Sequence, residues 1–534
     1  MKIIKALSTV FAVLFALSAC GKAPTESPES ATDTPEAVEA VDIVLSDNGI
    51  TVDGKAAGSD NSAAVYTTND IIYYESGKDF TYGEGSEADA HSADEAAAHT
   101  VVHIAKAGTY SLSGRISKGQ VAVDLGDGAQ ENPESAVTLI LNGAQISCSV
   151  APAVIFYNVY ECADGEATKD VDTSAAGANV IVADGTVNEI NGSYVAKIYK
   201  PDSVVLNEEK TKVEDAKKLH KYDGAFYSKM TMNVSGGKEN SGVLNINAEN
   251  EGLDSEMHLT LNGGNINIKS GNDGINTNED GVSVTTVNGG SLTVTVTGDT
   301  GEVDGIDSNG WLVINGGKVV AAACSDSADA GIDSDMGIHI NGGTVIASGH
   351  MLDRIGDGGQ NYAVFNFAQK QAGGEIVSLK SADGKTVIEA CPENAYSVLI
   401  FSSPDMAAGT YTLWCSDKQL AGQGGGMGER PEMPGGMTPP DSPEGLEPDE
   451  IPGGEAHGFP PENAENFTRP EGGMPPEGFE PPEGFEMPEG ERPEKPFGER
   501  PDMQGGNGFP EQELSTEFVI GDGANMFGGI SFIG

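Results

Sequence analysis

Short alternating runs of apolar and polar residues dominate the middle of this chain. His258-Leu259-Thr260-Leu261, Asn265-Ile266-Asn267-Ile268 and Ser291-Leu292-Thr293-Val294 each send every second side chain to one face, as a half-buried β-strand does. Corners made of one Ser or Asn and two glycines separate such runs. They start at Ser235, Asn262, Asn288, Asn315 and Asn341, with spacings of 27, 26, 27 and 26 residues. A fixed period of this size marks a solenoid whose units stack on one another. Strands of four or five residues exclude helical repeats, and the paired glycines supply the positive φ that sharp corners need. No proline occurs between Asp202 and Cys391, as a stack of paired strands requires. The pattern predicts an all-β chain wound as a β-helix, with strands about 4.8 Å apart. The short period of the Gly-Gly-x-Gly-x-Asp roll is absent.

A second motif occurs once per unit. Gly252-Leu253-Asp254-Ser255, Gly274-Ile275-Asn276-Thr277, Gly305-Ile306-Asp307-Ser308 and Gly331-Ile332-Asp333-Ser334 superpose without gaps, and residues 223–228 form a looser copy. In this register Phe226, Leu253, Ile275, Ile306 and Ile332 form one inward apolar column. Asp254, Asn276, Asp307 and Asp333 form the adjacent column, which alternation turns outward. Asp223, Glu251, Asp273 and Asp304 stand just before the glycine.

These acids carry the candidate chemistry. Like charges directly across strands destabilise a sheet, and at roughly 5 Å and an effective dielectric near 20 each pair costs about 3 kcal/mol. A calcium ion, which takes six to eight oxygens, would relieve that repulsion using Asp223, Glu251, Asp254, Asp273, Asn276, Asp304, Asp307 and Asp333. Softer metals want His or Cys, which these columns lack. A solvated acidic face, screened by salt, is the other reading.

The ends add a compartment. Lys2 and Lys5 precede an apolar run over 6–17 that is too short for a stable membrane span, and Leu17-Ser18-Ala19-Cys20 closes it. This resembles the lipobox of bacterial lipoproteins, which implies acylation of Cys20. No other segment is apolar enough to span a bilayer, so the expectation is a bacterial cell-surface protein held to its membrane by lipid alone. Residues 21–40 read as a disordered tether. The folded part divides into 41–200, an N-terminal β region with the first coils, 201–350, the acid-bearing repeats, and 351–420, a small β segment. Residues 421–513 hold 19 of the 27 prolines, with 22 acidic residues against five basic ones, and read as a disordered Pro/Gly/Glu-rich insertion. Residues 514–534, with Glu517-Phe518-Val519-Ile520, read as a terminal strand that rejoins the folded part.

A formal charge of -52 argues against nucleic acid as a partner. Five cysteines besides Cys20 (Cys148, Cys162, Cys324, Cys391 and Cys415) form no Cys-x-x-Cys pair; a Cys391–Cys415 bridge and buried thiols both remain open. His91, His99 and His103 fit no metal-ligand spacing.

The Asp-Gly-Ile-x-Ser and Asn-Gly-Gly coils resemble the calcium-binding parallel β-helix family of bacterial surface carbohydrate-binding proteins. Upstream, residues 107–114 and 139–143 resemble that family's opening strands; downstream, 396–400 and 409–413 are similar to its closing segment. The resemblance covers roughly 100–420 and the last twenty residues. It implies a right-handed parallel β-helix that binds cellulose or pectin-like polymers and holds calcium among Asp223, Asp254, Asp273, Asp304, Asp307 and Asp333. The chain departs from the pattern at Asn276 and at Ala330, and residues 66–99 look like an insertion that the family does not explain.

Three functions compete. A monomeric polysaccharide binder would use aromatic platforms, for which Trp311, Tyr222 and Tyr227 beside the acidic columns are candidates. A calcium-dependent lyase would need a basic cluster beside the acids. Between residues 116 and 429 the chain has one arginine, Arg354, and Lys229, Lys269 and Lys318 fall on different coils, so the reading leans away from catalysis. A structural stalk or adhesin that captures a protein is the third.

Overall fold

A computed structural model describes residues 40–163, 165, 167–298, 303–356, 358–425 and 514–532. The expected signal peptide, the tether, Cys20 and the acidic stretch over 426–513 lie outside the described residues. Among the described residues the chain is all-β, with a single five-residue α-helix, Ala93–Ala97, closed by a Ser92/Glu95 capping box. No helix among them is long and apolar enough to cross a membrane.

Most strands belong to three parallel ladders. The first runs through Val137–Cys148, Ala178–Val182, Met232–Gly236, Leu259–Leu261, Val284–Val287, Trp311–Ile314 and Gly337–Ile340. The second passes from the end of Val137–Cys148 through Val187–Gly192, Val243–Ala248, Asn265–Ser270, Ser291–Val296, Lys318–Ala322 and Thr344–Gly349. The third joins Thr100–Ile104, Gly119–Asp124, Val154–Asn158, Gly224–Ser228, Glu251–Ser255 and Ile275–Thr277, and a bridge from Ile275 to Ile306 continues it. From Met232 onward the first ladder advances by one sequence repeat per strand, whereas upstream steps, such as Ala178 to Met232 and Val154 to Phe226, take in longer excursions.

In-register parallel pairing puts equivalent side chains over one another. Phe226, Leu253, Ile275, Ile306 and Ile332 form the predicted apolar column, all fully buried. At the corners, Asn288 donates to Asn262, Asn315 to Asn288 and Asn341 to Asn315, each at 2.8–2.9 Å, so each amide satisfies the next. The second corner glycine is obligatory for two reasons. Gly343 has φ +82°, and a Cβ there would sit 2.7 Å from the Gly317 carbonyl oxygen of the previous coil.

The sheets are mixed. Thr344–Gly349 ends its parallel ladder by pairing antiparallel with Tyr396–Ser402, which also pairs with Tyr362–Gln371. Residues 514–532 return to this region: Phe518–Ile520 pairs with Gly409–Cys415, and Ala524–Phe532 lies beside Tyr362–Gln371. Phe365, Phe401, Phe518 and Phe527 make edge-on and stacked contacts in a second core. All five described cysteines are free, so Cys391 and Cys415 are not bridged.

The apolar column gives a direct test. Ile306→Ala should lower the unfolding free energy by about 2–5 kcal/mol. Val187→Ala, at a site 53% exposed, should change it by no more than about 0.5 kcal/mol. Urea denaturation followed by circular dichroism reads both.

Candidate functional site

The acid-bearing motif occupies the third ladder, where Tyr227, Asp254 and Asn276 are direct cross-strand neighbours. The outward orientation expected for this column holds for the strand but not for solvent. Asp254 is 0% exposed, and Asn276 and Tyr227 are also buried. The reason is the antiparallel pair Val195–Tyr199 and Lys218–Tyr222, which interrupts the repeat just before Asp223. It sets Lys221 against the acids, with Nζ 2.5 Å from Asp223 Oδ2. Gly224 makes room below, since a Cβ there would meet Asp254 Cβ at 2.5 Å.

Asp223, Glu251 and Asp254 each bring one carboxylate oxygen to within 4.8 Å of the others. A calcium ion 2.3–2.6 Å from each ligand can bridge oxygens up to about 5.2 Å apart, so one ion can reach all three. Glu251 Oε2, Asp254 Oδ2 and Asn276 Oδ1 are buried without a hydrogen-bond partner in the protein. An unpartnered buried oxygen costs roughly 1–3 kcal/mol, more when charged. Their other atoms are engaged: Asn276 Nδ2 donates to Glu251 Oε1 at 3.2 Å and Asn278 Nδ2 to Asp254 Oδ1 at 2.7 Å. The residues present therefore fit a hard, oxygen-seeking cation.

The eight predicted ligands do not form one centre. Asp273 accepts the Asp304 N–H at 2.7 Å, and Asp304 accepts the Ala330 N–H at 2.6 Å, so each staples one coil to the next. Asp307 and Asp333 are half-buried farther along the column and are not part of the close trio. Burial raises the pKa of all five buried acids. For Asp254 the adjacent Glu251 and Asp223 add to it, and for Asp273 so do Glu251 and Asp307. Asp223 is raised against the pull of Lys221, and Glu251 is raised with Asp223 repelling it. Asp304 is pushed up to about 8, opposed by the Ala330 N–H. Burial works against the Lys221 charge, but Asp223, Glu251 and Asp254 outweigh it and hold this lysine above its ordinary value.

Beside the trio opens a cleft of about 810 Å³, whose walls include Tyr66, Tyr157, Tyr222, Lys218, Lys221 and Lys229. Tyr66 stacks on His103 with ring centroids 4.5 Å apart, and Tyr157 meets Tyr222 edge-on at 5.5 Å. Tyr227 donates to Glu256 at 2.7 Å at the cleft wall. The aromatic predictions divide. Tyr222 and Tyr227 do line the cleft, but both are buried against each other at 5.1 Å and offer no open ring face. Trp311 is half-buried in a separate hollow of about 460 Å³ with His339 and Arg354.

Sequence reasoning missed Tyr66, Tyr157, Lys218, Lys221, His220 and Glu256. Lys218, His220, Lys221 and Tyr222 fall in one run that breaks the repeat just before the first acid, and that break was the available signal. Of the three lysines read as scattered, Lys229 joins Lys218 and Lys221 in the cleft, while Lys269 and Lys318 stand on other strands away from it.

The raised carboxyls set a pH signature. Their folded-state pKa values exceed the unfolded ones, so the folded chain binds more protons and stability falls as pH rises. In chelator, the melting temperature should drop by a few degrees between about pH 4, where unfolded carboxyls ionise, and about pH 8, where Asp304 does. Asp254→Asn keeps the acceptor for Asn278 and should raise the pH 8 melting temperature in chelator while flattening the slope. Calorimetric scans across that range check both.

A family model for carbohydrate-binding domain-containing proteins matches residues 98–390, a little more than half of the chain. Among solved structures, the polysaccharide lyase-like protein from C. thermocellum, as a gadolinium derivative, is 18% identical. The match covers 56% of this chain and 91% of that one, with a TM-score of 0.32. No curated protein matches. By its family match, the chain belongs to the carbohydrate-binding domain-containing proteins.

Proposed function

We propose that the protein is a non-catalytic polysaccharide binder of the bacterial surface, in which a calcium ion lodged at Asp223, Glu251 and Asp254 sets the wall of the adjoining cleft. The observation that carries this reading is the buried acidic trio, with two unpartnered carboxylate oxygens, next to a cleft lined by tyrosines and lysines. Lys221 belongs to both, pairing with Asp223 and lining the cleft. A dication in the trio supplies charge that one lysine cannot, and leaves the Lys221 ammonium available to a sugar hydroxyl or carboxylate. The family match supports carbohydrate as the partner. Plant-cell-wall polymers, cellulose or pectin-like, are the class proposed.

The scaffold in this reading is a right-handed parallel β-helix. Three parallel ladders support it, and parallel crossovers are right-handed in nearly all sheets. The proposed surface location rests on the Lys2, Lys5 and Cys20 pattern, with acyl chains as the anchor.

One observation favours a second reading. Lys218, Lys221 and Lys229 share the cleft beside the acidic trio, which is the basic-beside-acidic arrangement that a calcium-assisted β-eliminating lyase needs. In that case Lys218 or Lys229 would accept the proton next to a uronate carboxylate, and a cation at the trio would make that proton more acidic. The β C–O bond would break with its oxygen leaving as the new chain end. Lys221, which the acids hold charged, is not that base.

Calorimetry against cellulose, xylan and polygalacturonate, with calcium and with chelator, separates these readings. Binding that weakens at least tenfold in chelator, and that Asp254→Asn weakens likewise with calcium present, is expected. Calcium should also raise the melting temperature of the unaltered chain but not of Asp254→Asn. Chelator-insensitive melting and uptake would remove the cation from the account, and growth of ultraviolet absorbance from unsaturated uronides would replace binder with lyase.

A further inference from the structure

A second groove, of about 680 Å³, lies against the first and shares Ile72, Leu219 and His220 with it. Its own walls carry Tyr73, Tyr82 and Tyr199, all half-buried. Together the two grooves are lined by seven of the chain's 14 tyrosines, so aromatics scarce overall are concentrated along one continuous path.

The groove is built from two segments outside the repeat. One is the insertion over 66–99, nearly all of which precedes the family match at 98–390. The other is the strand pair Val195–Tyr199 and Lys218–Tyr222. They are joined through their backbones: Glu84 N–H donates to the Lys197 carbonyl at 2.9 Å and Tyr199 N–H to the Tyr82 carbonyl at 2.8 Å. Gly83 permits that approach, since a Cβ there would lie 2.2 Å from Lys197 O. Tyr74 braces the loop from behind, donating to the Gly85 carbonyl at 2.9 Å and meeting Tyr82 edge-on at 5.1 Å. The walls are held in place before any ligand arrives, which lowers the ordering cost of binding.

The chemistry differs from that of the first cleft. Lys78 is paired with Glu75 at 2.7 Å and sits 5.2 Å from the Tyr82 ring centre, and Tyr199 donates to Glu84 at 3.3 Å. With Lys78 paired to Glu75 and Asp79 held by the Thr81 N–H and hydroxyl, this groove offers ring faces and a polar rim, which suits the C–H face and hydroxyls of a neutral sugar ring. The first cleft offers lysines instead.

Resting on the carbohydrate-binding reading above, we infer that the 66–99 insertion and the 195–222 strand pair extend the binding site. Further sugar units of the same glycan chain cross the Leu219–His220 ridge and stack on Tyr73, Tyr82 and Tyr199. The site therefore selects for chain length.

The test uses the full chain with calcium, titrated with a disaccharide and an octasaccharide from each of the cellulose and polygalacturonate series. Tyr73→Ala and Tyr199→Ala should each raise the octasaccharide Kd about tenfold more than the disaccharide Kd. Leu219→Asp, at a ridge residue 46% exposed, should do the same without risk to the core, and melting curves identify any variant that has not folded. If folded variants lose affinity equally for both lengths, or lose none, the extended groove is overturned while the carbohydrate reading stands. If the unaltered chain takes up neither length of either series, both fall together.

Discussion

Parallel pairing in register is the constraint from which the rest of this molecule follows. Because each strand repeats its predecessor one rung away, whatever a position carries is stacked on its own kind about 4.8 Å distant. Isoleucine over isoleucine gains from this, and the buried column from Phe226 to Ile332 is the result. Asparagine over asparagine gains as well, since an amide is both donor and acceptor, and the ladder from Asn341 down to Asn262 links each amide to the next. Carboxylate over carboxylate does not, because it has acceptors only. The structure answers that problem differently along two adjacent columns. Asp273 and Asp304 turn an oxygen to a backbone N–H of the next coil. Glu251 and Asp254 keep an oxygen with no donor within the protein.

Those two outcomes explain what could be read from the sequence. Repeat length, glycine corners and the inward column follow from periods along the chain, and a period survives in one dimension. The acids were visible as a column for the same reason. Their burial was not, because alternation reports which face of a strand a side chain takes and not what later covers that face. Asp254 does sit opposite the apolar column, yet Lys221 and its neighbours seal it from water. The division of the eight candidate ligands into a close trio, two backbone staples and three others was equally hidden, since a carboxylate whose oxygen accepts a peptide N–H and one that keeps an oxygen unpartnered are spelled alike.

The cleft was the least legible feature, and for a physical reason. A repeating ladder makes a nearly flat wall, and concavity requires something to stand out from it. Here that is supplied by stretches without the period: the insertion over 66–99 and the strand pair that carries Lys218, His220, Lys221 and Tyr222. Segments without a period give sequence reasoning little to hold, and a low overall aromatic content concealed how closely the tyrosines are gathered.

The trio must be neutralised by something, and the two available agents leave different molecules. Protons are the internal solution: burial raises all three acids, so protonation can silence them one by one as pH falls. A proton removes charge without holding the three side chains to a common centre, and it leaves Lys221 as the cation paired with Asp223. A divalent ion removes more charge and imposes geometry, because each oxygen must lie at coordination distance from one point. Lys221 and Tyr227 both touch this neighbourhood and the cleft wall, so only the second agent would transmit order to a bound sugar. In the proposed reading the buried acids are an internal strut for the cleft, and the high local cost in the bare chain would give the ion its affinity.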